Sequence, residues 1–476
     1  MLKRIGKNRQ NRKSLKKERK EGSTKTFYSK EEDSVSTIVE HDVVKQVIVV
    51  EQPPPVLEKE VPRVKEKKEK VMKRKKLKKK LSGAIVEPHN WGFPGYLTKE
   101  EEEIFQQFTT EVNERGKEFR DTIFSFGYNE EEEHAFCRWL RARKFVLKDA
   151  IAMVEQATEL RIEPKRVKFY ENAISALGVE EAVFKTQYPQ VFAGHAKNSC
   201  PLFVSKPGKI DMTGLDCITS IENMHKYQWH SMIYGAGAEY RARQSADPNF
   251  ERFQSAAILD LDGLGVSTIT GSVMDMIKHQ SHVDSLCFPE TMNKLVIINA
   301  PTFFSATWQV IRHMLDARTA NKIEIYSFRS KWEKRLKELV DDDQLPSDYG
   351  GSGPSLAESI LKKCNDSTVS RRVTKVMSFK SNDSTSIKLE EGETMDLFVY
   401  TKSSAGVDFS VVNAENKSEI LAKKNIVANK SNDETSINKV ASGLMGPNKF
   451  KVYGNVANGR LFSSTQNFLV VANINN

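Results

Sequence analysis

Glu290 and Lys322 each stand just ahead of an apolar run, residues 295–298 and the run that begins at Ile323. A carboxylate accepts hydrogen bonds from hydroxyls, and a lysine ammonium serves an oxyanion as a point charge. Taken alone, the two could equally form an ordinary surface ion pair of little worth. Arg143 and Lys144 are adjacent cations in a helical segment; a guanidinium suits bidentate phosphate recognition, while the plain alternative is a solvated helix face. Asp260 and Asp262 close a strand before Gly263, where turn-forming aspartates are commonplace. His313 sits on the polar side of an apolar helix. No nucleophile–His–acid set, phosphate-binding loop or zinc spacing is readable. The expectation is a binding protein, not an enzyme, with no metal and no catalytic residues.

These groups must be held by an alternating framework. Strands are expected at residues 202–205, 257–261, 295–299 and 323–327, with helical stretches between them, as in parallel α/β architecture. Residues 97–170 read as a helical block opened by Thr98 and Lys-Glu-Glu-Glu. From Pro301 a helix is expected in which Phe304, Trp308, Ile311 and Leu315 form one stripe. Phe303, Val310 and Met314 widen that stripe beyond an ordinary core-facing one. Such a helix needs apolar surroundings on more than one side, either a deep core or a cavity or bilayer that it faces. After the glycines at 350, 351 and 353 and a helix-like link at 355–363, the pattern changes to period two. A hairpin is expected around Glu391-Gly392-Glu393, joining residues 387–389 to 397–400, with further strands at 449–453 and 467–472.

Four segments in fixed order carry a family resemblance: Phe136-Cys137-Arg138-Trp139-Leu140-Arg141-Ala142-Arg143-Lys144-Phe145, then residues 256–263, then 288–327, then Leu345-Pro346-Ser347-Asp348-Tyr349-Gly350-Gly351. Together they resemble the CRAL-TRIO lipid-binding family, the fold of yeast-type phosphatidylinositol-transfer proteins. The last hundred or so residues resemble a GOLD domain, the combination found in patellins and supernatant protein factor. Gly392-Glu393-Thr394 and Val407-Asp408-Phe409 fit its early part, whereas Leu461 stands where an aromatic is frequent. The resemblance implies an α/β CRAL-TRIO domain preceded by an all-α helical block and followed by an all-β, GOLD-like sandwich. The boundaries expected are a disordered basic tail at 1–85, helices at 97–175, the lipid-binding domain at 176–355 and the β module at 366–476.

By resemblance, Glu290 and Lys322 are the paired acid and base of an inositol-lipid headgroup site, with Thr319 beside them and Arg143 and Lys144 approaching the phosphate. For a second lipid headgroup, Tyr234 and Ser255 occupy matching positions, but Phe203 replaces a usual tyrosine and Ala257 a usual threonine. Each change removes a hydroxyl, so phosphatidylinositol is the expected ligand and phosphatidylcholine a doubtful partner. Carrying a phospholipid means hiding about 30 methylenes, worth on the order of 25 kcal/mol, from water. The helix bearing Phe303, Phe304, Trp308, Ile311 and Leu315 fits the role of a gate that opens at a membrane. The alternatives are a carrier of sterol, tocopherol or another isoprenoid, and a trafficking scaffold without transfer activity.

The chain of 476 residues carries a net charge of +10, but residues 1–80 hold 26 Lys and Arg against 12 Asp and Glu, so the remainder is slightly acidic. That tail is poor in aromatics, broken by Pro53-Pro54-Pro55, and expected to be disordered. Its lysine clusters fit an anionic membrane surface or a nuclear-import signal, and the lack of interleaved aromatics argues against nucleic acid. No apolar run reaches membrane-spanning length and no signal peptide is readable. Five scattered cysteines fit free thiols in a cytoplasmic, reversibly membrane-associated protein. A protein partner is expected for the β module.

Overall fold

A computed structural model describes residues 90–476 apart from 266–270, 305–307, 309–316, 367, 379–382, 403–406, 427–434 and 457–466. The basic tail and the gate-helix positions Ile311 and Leu315 lie outside the described residues, as does Leu461.

The helical block comprises α1 (Lys99–Glu114), α2 (Lys117–Ile123), α3 (Glu132–Ala142), α4 (Leu147–Leu160) and α5 (Ile162–Arg166). Thr98 starts α1 as a capping box: its hydroxyl accepts from the Glu101 N–H, and the Glu101 carboxylate accepts from the Thr98 N–H. Phe108, Phe136, Trp139, Leu140 and Val154 are fully buried and weld the block into one core. The chain continues through α6 (Ala173–Leu177) and α7 (Glu181–Gln187) into a sheet of five strands.

These strands are β1 (Gln190–His195), β2 (Pro201–Ser205), β3 (Ser255–Asp260), β4 (Met292–Ile298) and β5 (Ile323–Ile325). They lie in sequence order; β1 pairs antiparallel with β2, and the rest pair in parallel. Between them run α8 (Met212–Ile218), α9 (Ile221–His230), α10 (Ala236–Ala246), α11 (Gly271–Cys287) and α12 (Ala317–Asn321), with α13 (Arg329–Leu339) after β5. Both sheet faces are covered, as parallel sheets require. Val204, Ile258, Val296 and Ile298 pack on one side with Tyr240, Trp332 and Leu336. The other side carries a second apolar cluster containing Ala257, Leu259, Leu295 and Ile297.

Helix α14 (Leu356–Lys363), capped by Ser355 and Glu358, leads into two four-stranded antiparallel sheets. One holds β7 (Asp383–Leu389), β9 (Val407–Asn413), β10 (Glu419–Ile426) and β12 (Asn448–Val456). The other holds β6 (Arg371–Ser378), β8 (Thr394–Thr401), β11 (Ser436–Met445) and β13 (Asn467–Asn475). The hairpin expected around Gly392 does not form. β7 pairs with β12 while β8 pairs with β11 and β13, so residues 390–393 carry the chain from one sheet to the other. The reason is that Ile387 and Leu389 meet Leu397 and Val399 in one shared core, facing across the sheets rather than side by side. This region docks on the α/β part through Leu469 and Val471, which pack with Val183 and Leu215. A Tyr400 hydroxyl donating to Glu180 at 3.2 Å reinforces that contact.

Candidate functional site

The parallel registers align residues into rows across the sheet. Phe203, Ala257, Leu295 and Ile323 are successive neighbours, and Leu259, Ile297 and Ile325 form the next row on the same face. Side chains two apart on a strand share a face, which produces a continuous apolar floor. Phe304 is buried against this floor and Trp308 packs on it half-buried, while Phe303 is 37% exposed. Phe203 and Ala257 contribute hydrocarbon where hydroxyls were expected to be missed. The Ser255 hydroxyl is hydrogen-bonded to Tyr240 at 2.7 Å, and Tyr234 donates to the Lys168 carbonyl at 2.7 Å; these two second-lipid positions are engaged with different elements.

A charged corner lies beside this floor, at the amino-terminal ends of β4 and β5. Glu290 occupies the turn between α11 and β4 with φ of 63°, a left-handed conformation that costs roughly 1–2 kcal/mol for a residue with a side chain. Its backbone is pinned from two directions. Arg138 donates to the neighbouring Pro289 carbonyl at 3.1 Å, and Gln254 donates to the Glu290 carbonyl at 3.2 Å. Arg138 is itself fixed by a two-point contact with Glu130, at 3.0 and 2.9 Å. Lys322 closes the turn after α12, its N–H bonded to the Thr319 carbonyl at 3.0 Å and its own carbonyl accepting from the Leu295 N–H at 2.9 Å.

Thus the Lys322 Nζ stands 3.6 Å from the Glu290 Oε2, and the Arg141 Nη2 stands 2.9 Å from the same oxygen. Burial would raise the Glu290 carboxyl, but Lys322, Arg141 and Arg318 outweigh it and hold the group below its ordinary value. Burial drives the Lys322 ammonium below its usual range, with Glu290 opposing and Arg141 reinforcing the shift. The carboxylate therefore stays ionised among cations, able to accept hydrogen bonds from hydroxyls while Lys322, Arg141 and Arg318 attract an oxyanion.

Arg141, Arg252 and Arg318 were not singled out from the sequence, and neither was the segment that covers them. Phe93 lies 3.7 Å from both the Arg141 and the Arg252 guanidinium, and Trp91 lies 3.7 Å from that of Arg318. Gly92 between them has φ of +70°, and a Cβ there would meet the Arg141 Cγ at 2.6 Å. The available signal was the spacing of Arg138 and Arg141, three apart on one helix face. Arg143 and Lys144 instead lie on the turn after α3; the Arg143 guanidinium donates back to the Ala142 carbonyl at 3.2 Å, and Lys144 has φ of 51°. Among the described residues, the ion-pair partners of Glu290 are Arg141 and Lys322. Also among them, no cluster of three or more potential metal ligands occurs, and no helix is long and apolar enough to cross a membrane.

The sheet thus carries one apolar face, with Phe304 and Trp308 packed on it, and a charged corner at its edge. Residues 185–351 match the CRAL/TRIO domain model, so this chain carries a CRAL/TRIO domain. Among its relatives are the SEC14 cytosolic factor of Kluyveromyces lactis, 29% identical over 263 residues that span 55% of this chain and 81% of that protein. The SEC14 cytosolic factor of Eremothecium gossypii is 29% identical over 265 residues, 55% of this chain and 79% of that one. The phosphatidylinositol/phosphatidylcholine transfer protein SFH4 of Arabidopsis thaliana is 29% identical over 238 residues, 49% of this chain, which spans only 38% of SFH4. Among solved structures, that of Sfh5 aligns with a TM-score of 0.40 at 15% identity, covering 55% of this chain and 91% of its own.

Proposed function

We propose that the chain binds one phospholipid, an inositol phospholipid, and exchanges it between membranes as a cytoplasmic, reversibly membrane-associated carrier. The observation that carries this reading is the meeting of Glu290 with Lys322 and Arg141 at the edge of an apolar sheet face. In the bound state Glu290 accepts hydrogen bonds from ring hydroxyls, Lys322 and Arg141 neutralise the phosphodiester, Thr319 supplies a hydroxyl beside them, and the acyl chains lie along the Phe203–Ile323 row. Arg143 and Lys144 take the outer approach to the phosphate. The names of the SEC14 and SFH4 relatives support lipid transfer, and the three cations around one acid support an anionic headgroup. The hydroxyl-free pair Phe203 and Ala257 favours a second ligand other than phosphatidylcholine. Phe303, exposed next to buried Phe304, offers an apolar contact for the membrane.

The test is transfer of labelled phosphatidylinositol between vesicles by the full chain and by a Glu290→Ala, Lys322→Ala double variant. Transfer should fall at least about tenfold, as expected for losing hydrogen bonds to charged groups, while the circular dichroism spectrum is retained. Unchanged transfer would remove the headgroup assignment.

A further inference from the structure

Among the described residues, the helical block contains a third buried guanidinium, beside those of Arg138 and Arg141, with no acid in ion-pair contact. Arg161, between α4 and α5, is 7% exposed, and its Nη1 has no hydrogen-bond partner. Among the described residues, no carboxylate stands in ion-pair contact with it. Arg138 in the same interior shows the contrast: its nitrogens are used by Glu130, Ser125 and the carbonyls of Ile123 and Pro289. Arg161 has instead the rings of Phe169 at 4.8 Å and Phe288 at 5.7 Å. Ring faces offset part of the cost of a buried cation but satisfy none of its in-plane N–H donors.

The Arg161 side chain also lines a cavity of about 160 Å3. Its wall combines the hydroxyl-bearing Thr122, Ser125 and Thr158 with the apolar Phe124, Ile162 and Ile233. The acids at its rim are already engaged: Asp121 with Lys117 at 2.7 Å, with Lys165 at 3.2 Å and with the Tyr128 hydroxyl at 2.6 Å, and Glu118 with Lys165. The rim charges cancel, leaving Arg161 as the uncompensated charge of the wall. A cavity of about 150 Å3 accommodates a guest the size of benzene.

We propose that this cavity binds a small organic carboxylate. Its oxyanion pairs with Arg161, matching the planar two-donor edge of the guanidinium, and its short hydrocarbon body fills the space beside Phe124, Ile162 and Ile233. A single cation in a partly apolar wall fits a carboxylate with a hydrocarbon body better than inorganic phosphate, which would leave the apolar wall unfilled and its own remaining charge unmatched. This site is independent of the headgroup corner and of any lipid carried there.

The full chain is titrated by calorimetry with benzoate, butyrate and inorganic phosphate at neutral pH. Benzoate should saturate one site, with phosphate weaker by about tenfold or more. Arg161→Met keeps the stem over Phe169 and removes the charge; it should weaken benzoate binding about tenfold to a hundredfold. Ile162, 46% exposed on the rim, offers a variant that leaves the core alone. Ile162→Trp should obstruct the entrance and weaken benzoate by a similar factor, and it decides the matter if Arg161→Met does not fold. No saturable benzoate binding, or unchanged affinity in either variant, would overturn the site, and phosphate binding as tightly as benzoate would overturn the carboxylate assignment.

Discussion

Replacing Glu290 by Gln should cost the fold more than replacing Lys322 by Met, although each removes one charge from the same corner. The Glu290 Oε2 lies 2.9 Å from one cation and 3.6 Å from another. At an effective dielectric constant of about 20, each pair attracts by roughly 5 kcal/mol before desolvation is subtracted. Removing Lys322 leaves the shorter Arg141 contact in place. Removing the carboxylate leaves Arg141, Lys322 and Arg318 facing one another with nothing between them, the situation in which a broken buried pair costs about 3–5 kcal/mol. Because the Glu290 side chain retains 18% exposure, about 3 kcal/mol is the expected loss for Glu290→Gln and about 1 kcal/mol for Lys322→Met. In the Lys322→Met background the Gln substitution should cost less than in the wild type, since one stranded cation is gone. Equilibrium urea unfolding of the four proteins measures all three differences. A loss in Lys322→Met equal to or larger than that in Glu290→Gln would refute the idea that one acid holds this cluster together.

Other consequences follow from particular contacts. His225 and His279 stack with ring centroids 3.6 Å apart, and neither Nε2 has a partner. Burial, then His225, then His282 lower the His279 value to about 4, while Glu222 faces His225 and opposes its own downward shift. A folded value below the unfolded 6.5 means stability that is complete above pH 6.5 and lost as pH falls toward 4. The wild-type melting temperature should therefore fall more between pH 7 and pH 5 than that of His279→Gln; equal slopes would contradict this. The comparison cancels the opposite contribution of Asp284, whose carboxyl is raised by burial in both proteins. Gly92→Ala should destabilise by about 1–3 kcal/mol, because its Cβ would press on Arg141 and Phe145 at a positive φ; an unchanged unfolding midpoint would show that the Trp91–Phe93 segment does not sit tightly on the arginines.

Strand β4 was readable because the run Leu295-Val296-Ile297-Ile298 signals burial on both faces, and β2, β3 and β5 because short apolar stretches alternate with helical ones. β1 was not, because Gln190, Gly194 and His195 interrupt its apolar pattern at the sheet edge. Period-two alternation marked residues 387–389 and 397–400 as strands, but alternation does not fix the pairing partner, so the strands flanking Gly392 were joined in the wrong sheet, whereas Ile387, Leu389, Leu397 and Val399 meet across the two sheets. Glu290 and Lys322, 32 positions apart, were paired through motif order, and the structure brings their side chains together. Arg252, Arg318 and the Trp91–Phe93 cover had no local signature: they come together only through folding, Arg141 and Arg252 on the Phe93 ring and Arg318 on that of Trp91. Arg161 was equally silent, because an arginine at a helix end reads as a solvated cap until packing by Phe169 and Phe288 is seen.

Mass spectrometry of lipids extracted from the purified full chain tests most directly whether a phospholipid is carried behind Phe304 and Trp308. The expected result is close to one inositol phospholipid per chain, reduced in the Glu290→Ala, Lys322→Ala variant. Recovery of a neutral isoprenoid without inositol lipid, or of no lipid from protein able to exchange none, would contradict it.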